Sequence, residues 1–204
     1  MFIIKGESYE RLALSFAPKE RLYTPLHMLF TGKGDDGTTK TFGCNQQRIS
    51  KSSLVPEALG ALDELNAFLG FVKMRSGEEP RISGGLRDVQ ETLFIIQAQV
   101  AGAEKKIKED AVKQVEDLVN NIEKEIPSIR GFSIAGGTEL SALLDVARTI
   151  ARRTERRLIA AVETEACSPT SETMAYMNRL SSLLFAYARL ANHLKGVAEE
   201  NPRY

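Results

Sequence analysis

From Pro56 onward, apolar residues return every three or four positions, and this period limits the possible fold more than any other feature of the chain. In PEALGALDELNAFLGFVKMR they fall at 58, 59, 62, 65, 69 and 72, with Pro56 where a first helical turn tolerates proline. The spans 86–104, 108–126, 138–166 and 171–197 repeat the texture. Pro127 stops the third of these five spans, Thr138 is placed to cap the fourth, and Gly196 to close the fifth. Over half of the 204 residues fall in these helical spans, and the connections are short, so the expected fold is all-α: a five-helix antiparallel bundle. The charged run 104–110 reads as a solvated connection. Residues 127–138 read as a loop carrying the buried-type residues Ile129, Phe132 and Ile134 between glycines.

The length fits one domain. Residues 1–27 are compositionally mixed and are read as an N-terminal extension to which the sequence assigns no role; 28–204 are read as a single domain. Lys plus Arg and Asp plus Glu are both 27, a balance that argues against a coat for nucleic acid or anionic membrane. No apolar run approaches the ~20 residues that span a bilayer, and the acid-bearing start does not read as a signal peptide. A cytoplasmic protein is the expectation. Two cysteines and two isolated histidines leave too few ligands for a tetrahedral zinc site, and the absence of Glu-x-x-His excludes a ferritin-like di-iron bundle.

Three groups of residues are able to carry chemistry. The segment Thr31-Gly32-Lys33-Gly34-Asp35-Asp36-Gly37-Thr38-Thr39 sets three glycines among a lysine and hydroxyls. Backbone amides turned into one concavity beside a cation suit a polyphosphate, and Asp35 or Asp36 could hold Mg²⁺ against it; a polar surface turn is the alternative. It is not a Walker A motif. Second, Arg148, Arg152 and Arg156 form one stripe at ~40° per step, bordering the apolar face of Leu140, Leu144, Ala147, Ala151 and Leu158. Between 145 and 157 five arginines face only Asp145 and Glu155, so this helix needs anionic partners or solvent to offset self-repulsion. Third, Asp63, Asn66 and Gly70 flank one apolar seam, and Asn178, Ser182, Phe185 and Arg189 another; helix–helix hydrogen bonds and ligand contacts both fit such flanks.

Taken in order, FTGKGDDGTT (30–39), SK (50–51), ALDELNAFLG (61–70), GFSIAGGT (131–138), ARTIARRTERR (147–157) and MNRLSSLLFAYAR (177–189) resemble the propanediol-utilisation type of ATP:cob(I)alamin adenosyltransferase, a corrinoid adenosyltransferase family. The resemblance implies a five-helix bundle with a glycine-rich N-terminal nucleotide loop, assembled as a homotrimer that binds ATP between subunits. It also implies the reaction: transfer of the 5′-deoxyadenosyl group of ATP to cob(I)alamin, with release of triphosphate and with Mg²⁺ accompanying ATP. Thr31, Gly32, Lys33, Gly34, Thr39, Lys40 and Lys51 match the ATP loop. Arg152, Arg153, Glu155, Arg156 and Asn178 match the nucleotide and Mg²⁺ contacts of the bundle, Glu155 being the Mg²⁺ residue. Arg152, Arg156 and Asp63 are the catalytic positions, Asp63 and Arg152 as an intersubunit ion pair. Phe132 and Asp63 face the corrin. A cobalamin reductase and an adenosylcobalamin-dependent enzyme are the implied partners, with neither nucleic acid nor membrane. Ser182 stands where the family has aspartate. Set against this reading are a bundle that carries ATP or cobalamin without turnover and an adaptor using the arginine stripe on nucleic acid.

Overall fold

The computed structural model describes residues 30–43, 47–129 and 131–203. The chain divides into two units, Met1–Gly32 and Lys33–Tyr204; the extension expected over 1–27 lies outside the described residues. In the second unit, β1 (Thr38–Thr39) and β2 (Ile49–Ser50) form an antiparallel pair with Thr38 opposite Ser50 and Thr39 opposite Ile49. Five helices follow: α1 (Leu54–Arg75), α2 (Pro80–Val100), α3 (Ala111–Glu125), α4 (Glu139–Glu163) and α5 (Ser171–Leu194). α1 packs on α2 and α4, and α5 packs on α4 and α3. The short links between α1 and α2 and between α4 and α5 make those neighbours antiparallel. No helix among the described residues is long and apolar enough to cross a membrane.

The seam expected on the first span is the one that packs: Leu62, Leu65 and Leu69 of α1 are fully buried with Leu144, Ala147, Ala151 and Leu158 of α4 and Met177, Leu180 and Leu184 of α5. Each large apolar side chain so buried contributes about 1.5–3 kcal/mol. Thr154 is fully buried, its hydroxyl 3.0 Å from the carbonyls of both Ala61 and Ile150, so α4 is tied to α1 by a satisfied polar group. The fourth helix begins as expected, with the Thr138 hydroxyl accepting from Ser141 N at 3.2 Å. Gly196, with φ +67°, terminates α5.

Helix α2 departs from expectation. It starts at Pro80, six residues before 86, and runs through Gly84 and Gly85. Tyr187 of α5 is the reason: a Cβ on Gly85 would lie 1.9 Å from Tyr187 Oη, so this glycine is a packing notch inside a helix. The run 104–110 is not wholly solvated either, since Ile107 is 7% exposed and joins the core. Conversely, Ile129, Phe132 and Ile134 are exposed, at 52%, 78% and 55%. Their loop stands outside the bundle, where glycines set its path.

Candidate active site

The glycine-rich loop is organised by hydrogen bonds to its own backbone. Gly37 N donates to Gly34 O at 3.1 Å, and Gly37 has φ +78°, a conformation that glycine alone adopts freely. The Asp36 carboxylate accepts from Thr38 N at 2.9 Å and from Thr38 Oγ1 at 2.7 Å. Those bonds hold the Asp36 carboxyl below its usual range, so this acid closes a turn. The β1–β2 pairing then carries Arg48 and Lys51 onto the loop. Arg48 donates to Thr38 Oγ1, to Lys33 O and, at 2.8 Å, to Thr38 O; Lys51 Nζ donates to Gly34 O at 2.8 Å. A Cβ on Gly34 would lie 2.9 Å from Lys51 Nζ, so the glycine admits the ammonium. Lys33, Gly34, Thr39, Lys40 and Lys51 thus belong to one small hairpin. Thr31 and Gly32 belong to the N-terminal unit, where Gly32 has φ +66°. Sequence reasoning missed Arg48, whose role depends on the strand register rather than on any local motif.

On α4 the arginines divide by partner. Arg153 pairs with Glu64 of α1 at 2.6 Å and Arg157 with Glu57 of α1 at 2.9 Å, while Arg148 holds Asp145 at 3.0 Å and lies over the Phe185 ring. Arg152 and Arg156 are exposed, and neither side chain forms an ion pair among the described residues. Arg156 instead donates to Arg152 O at 3.2 Å. Glu155 Oε1 accepts from Asn178 Nδ2 of α5 at 2.9 Å, which brings the expected α4 and α5 contacts together. Asp63 is exposed on α1, and no ion pair joins it to Arg152 within the chain.

The loop between α3 and α4 delivers Phe132 to the same side. A cavity of about 550 Å³ is lined by Phe132, Ile129, Arg148, Arg152, Ser182 and Phe185 among others, so an exposed aromatic ring and two guanidiniums share one opening. Of the flank Asn178, Ser182, Phe185 and Arg189, only Ser182 and Phe185 line it. Arg189 is 7% exposed and faces away, its guanidinium on Glu199 and, at 2.6 Å, on Pro127 O. Asn192, also missed, is buried; its Oδ1 accepts from Thr138 N at 2.9 Å and Thr138 Oγ1 at 3.0 Å, and its Nδ2 donates to Gly136 O at 2.8 Å. It clamps the end of the Phe132 loop to α5. A larger cavity, about 1010 Å³, lies by Thr41, Ala101–Lys106 and Cys167 and contains none of the candidate residues.

The helical bundle carries a glycine-rich hairpin and an arginine-studded helix, and two of those arginines share a cavity with an exposed aromatic ring, so cations and an apolar wall meet at one opening. Residues 29–191 match the model of the cobalamin adenosyltransferase family, and the chain belongs to that family of transferases. It is 33% identical over 178 residues to a corrinoid adenosyltransferase of Bacillus subtilis (84% of this chain, 90% of the relative). It is 35% identical over 172 residues to one of Citrobacter freundii (81% and 95%). Its fold superposes with a TM-score of 0.80, at 29% identity, on a PduO-type ATP:corrinoid adenosyltransferase variant from Lactobacillus reuteri complexed with cobalamin and ATP, covering 86% of this chain and 97% of that one.

Proposed function

We propose that the chain transfers the 5′-deoxyadenosyl group of ATP to cob(I)alamin, yielding adenosylcobalamin and triphosphate. Cobalt(I) supplies the electron pair of the new Co–C5′ bond; the C5′–O5′ bond breaks, and its pair leaves with the triphosphate. The metal being the nucleophile, the protein contributes placement and field. The observation that carries this reading is the shared cavity of Phe132, Arg148 and Arg152: an apolar wall and cations at one opening.

In this reading Thr31, Gly32, Lys33, Gly34, Thr39, Lys40 and Lys51 cradle the phosphates with amides and ammonium groups. Arg152 and Arg156, exposed and without carboxylate partners among the described residues, neutralise the charge that grows on the leaving group. Arg153 exchanges Glu64 for phosphate, and Asn178 completes the nucleotide contacts. Among the described residues no group of three or more His, Cys, Asp or Glu is able to hold a metal. Glu155, its carboxylate held by Asn178, is the residue that would hold Mg²⁺ together with the triphosphate. Bound there, Mg²⁺ would neutralise charge on the departing phosphates. Phe132 would crowd the lower face of the bound corrinoid and keep other ligands off it, which would favour the reduced metal. Asp63 meets Arg152 across a subunit boundary of a homotrimer, in the cytoplasm. A reductase supplies cobalt(I), and an adenosylcobalamin-dependent enzyme receives the product.

The test is incubation with ATP, Mg²⁺ and chemically reduced cobalamin. Adenosylcobalamin and triphosphate should appear in equal amounts. Binding of both substrates without triphosphate release would identify a carrier and end this reading.

A further inference from the structure

The Phe132 loop is fastened by chain that follows α5. After Gly196 the chain turns back, with Val197 N donating to Asn192 O at 2.9 Å. Residues 197–203 then run beside the loop, and the bonds fall around one residue. Asn201 Nδ2 donates to Phe132 O at 2.7 Å, and Ile134 N donates to Glu200 O at 2.8 Å. Below them Arg189 grips both Glu199 carboxylate oxygens and Pro127 O, joining the start of the loop to the same segment through a guanidinium that is 7% exposed. A cavity of about 440 Å³ lies between loop and segment, bordered by Pro127, Gly131, Arg189, Glu199 and Asn201.

The Phe132 ring is 78% exposed, so packing within the chain does little to fix it. Its position follows from its main chain, and that main chain is held at the 132 carbonyl and the 134 amide. Gly131, immediately before it, adds freedom that only outside bonds remove. We propose that the segment after α5 is a strap, with Asn201 and Glu199 as positioning residues that set Phe132 against the corrinoid. Asn201 acts directly on the Phe132 carbonyl. Glu199 acts through Arg189, keeping the segment in register with Pro127. Neither residue touches the reacting atoms. The corrinoid half of this inference rests on the adenosyltransferase reading; the strap itself does not.

The test uses the full chain and two readouts. In Asn201→Ala, hydrogen exchange at the Ile134 amide should quicken severalfold while the thermal midpoint stays within a few degrees of wild type, because Asn201 is exposed. Unchanged exchange at Ile134 would overturn the strap whatever the enzyme does. With ATP and cob(I)alamin, Asn201→Ala and Glu199→Gln should lower kcat/KM for the corrinoid by about 3–10-fold and leave KM for ATP unchanged. In a Phe132→Ala background the same substitutions should have no further effect on corrinoid kinetics. An equal loss in both backgrounds, or a change confined to ATP, would overturn the link to Phe132. If faster exchange at Ile134 accompanies a wild-type chain that makes no adenosylcobalamin, the strap stands and the adenosyltransferase reading falls.

Discussion

Alanine at Gly85 would place a Cβ 1.9 Å from Tyr187 Oη and 2.9 Å from its Cζ, against a ring that is 1% exposed and has no free space to enter. One residue earlier, a Cβ at Gly84 would meet nothing within 4 Å. Both glycines lie inside α2, so both substitutions gain the backbone term of about 0.5–1 kcal/mol for replacing a helical glycine. Gly84→Ala should keep that gain. Gly85→Ala adds overpacking of about 3 kcal/mol, the upper end of the usual range, for a net destabilisation of about 2 kcal/mol. At about 2–4 °C per kcal/mol in a chain of this size, the two variants should straddle wild type, one up by about 2 °C and the other down by about 4–8 °C. Tyr187→Phe supplies the control. It deletes the clashing oxygen, which has no hydrogen-bond partner among the described residues, so Gly85→Ala should cost less in that background. Thermal and urea unfolding of wild type, the three single variants and the Gly85/Tyr187 double together give every quantity. Stabilisation by both alanines, or a Gly85→Ala penalty indifferent to Tyr187→Phe, would refute the packing argument.

Three further outcomes follow from the structure. Arg48→Ala should raise KM for ATP about 10-fold with kcat little changed, since the loop loses about 1–1.5 kcal/mol of ordering when its guanidinium contacts go; steady-state kinetics with unchanged KM would contradict this. Burial pushes the phenols of Tyr176 and Tyr187 up to about 12, so the unfolded chain ionises them first, near pH 10. Their contribution is full below pH 10 and lost between 10 and 12, at about 1.4 kcal/mol per pH unit for each; Tyr187→Phe should halve the alkaline slope in urea titrations. Glu165 closes α4 at φ +56°, where glycine is at ease, so Glu165→Gly should stabilise by about 0.5–1 kcal/mol in the same assay.

The helices were legible because their apolar stripes have one period and one purpose. Leu62, Leu65 and Leu69 are buried as that period demands, and the cap at Thr138 and the stop at Gly196 stand where a helix needs them. Legibility failed where a residue's reason lies on another element. The second span is expected to begin at 86, yet α2 runs through Gly84 and Gly85, because the reason for Gly85, a packing notch for Tyr187, lies on α5. Ile129, Phe132 and Ile134 read as buried because apolarity was the only visible cue, yet their loop stands outside the bundle. The site divides the same way. Glu155 and Asn178, expected together, are 2.9 Å apart, and Phe132 and Arg152 line one cavity. Arg48, Arg189 and Asn192 act on the backbone of distant loops, and backbone acceptors leave no mark in a sequence.

The central claim is that the glycine-rich hairpin of one subunit and the α4 arginines of the next close on a single triphosphate. Mixing two crippled chains tests it: Lys33→Ala and Arg156→Ala, each inactive alone, co-expressed so that subunits assort. If the site is shared across a subunit boundary, one of the three sites in each mixed trimer, about a quarter of all sites when the two chains assort equally, combines an intact hairpin with an intact helix, and adenosylcobalamin formation returns in proportion. If hairpin and arginines of the same chain formed the site, every site would keep one lesion, and the mixture would stay as inactive as its parts.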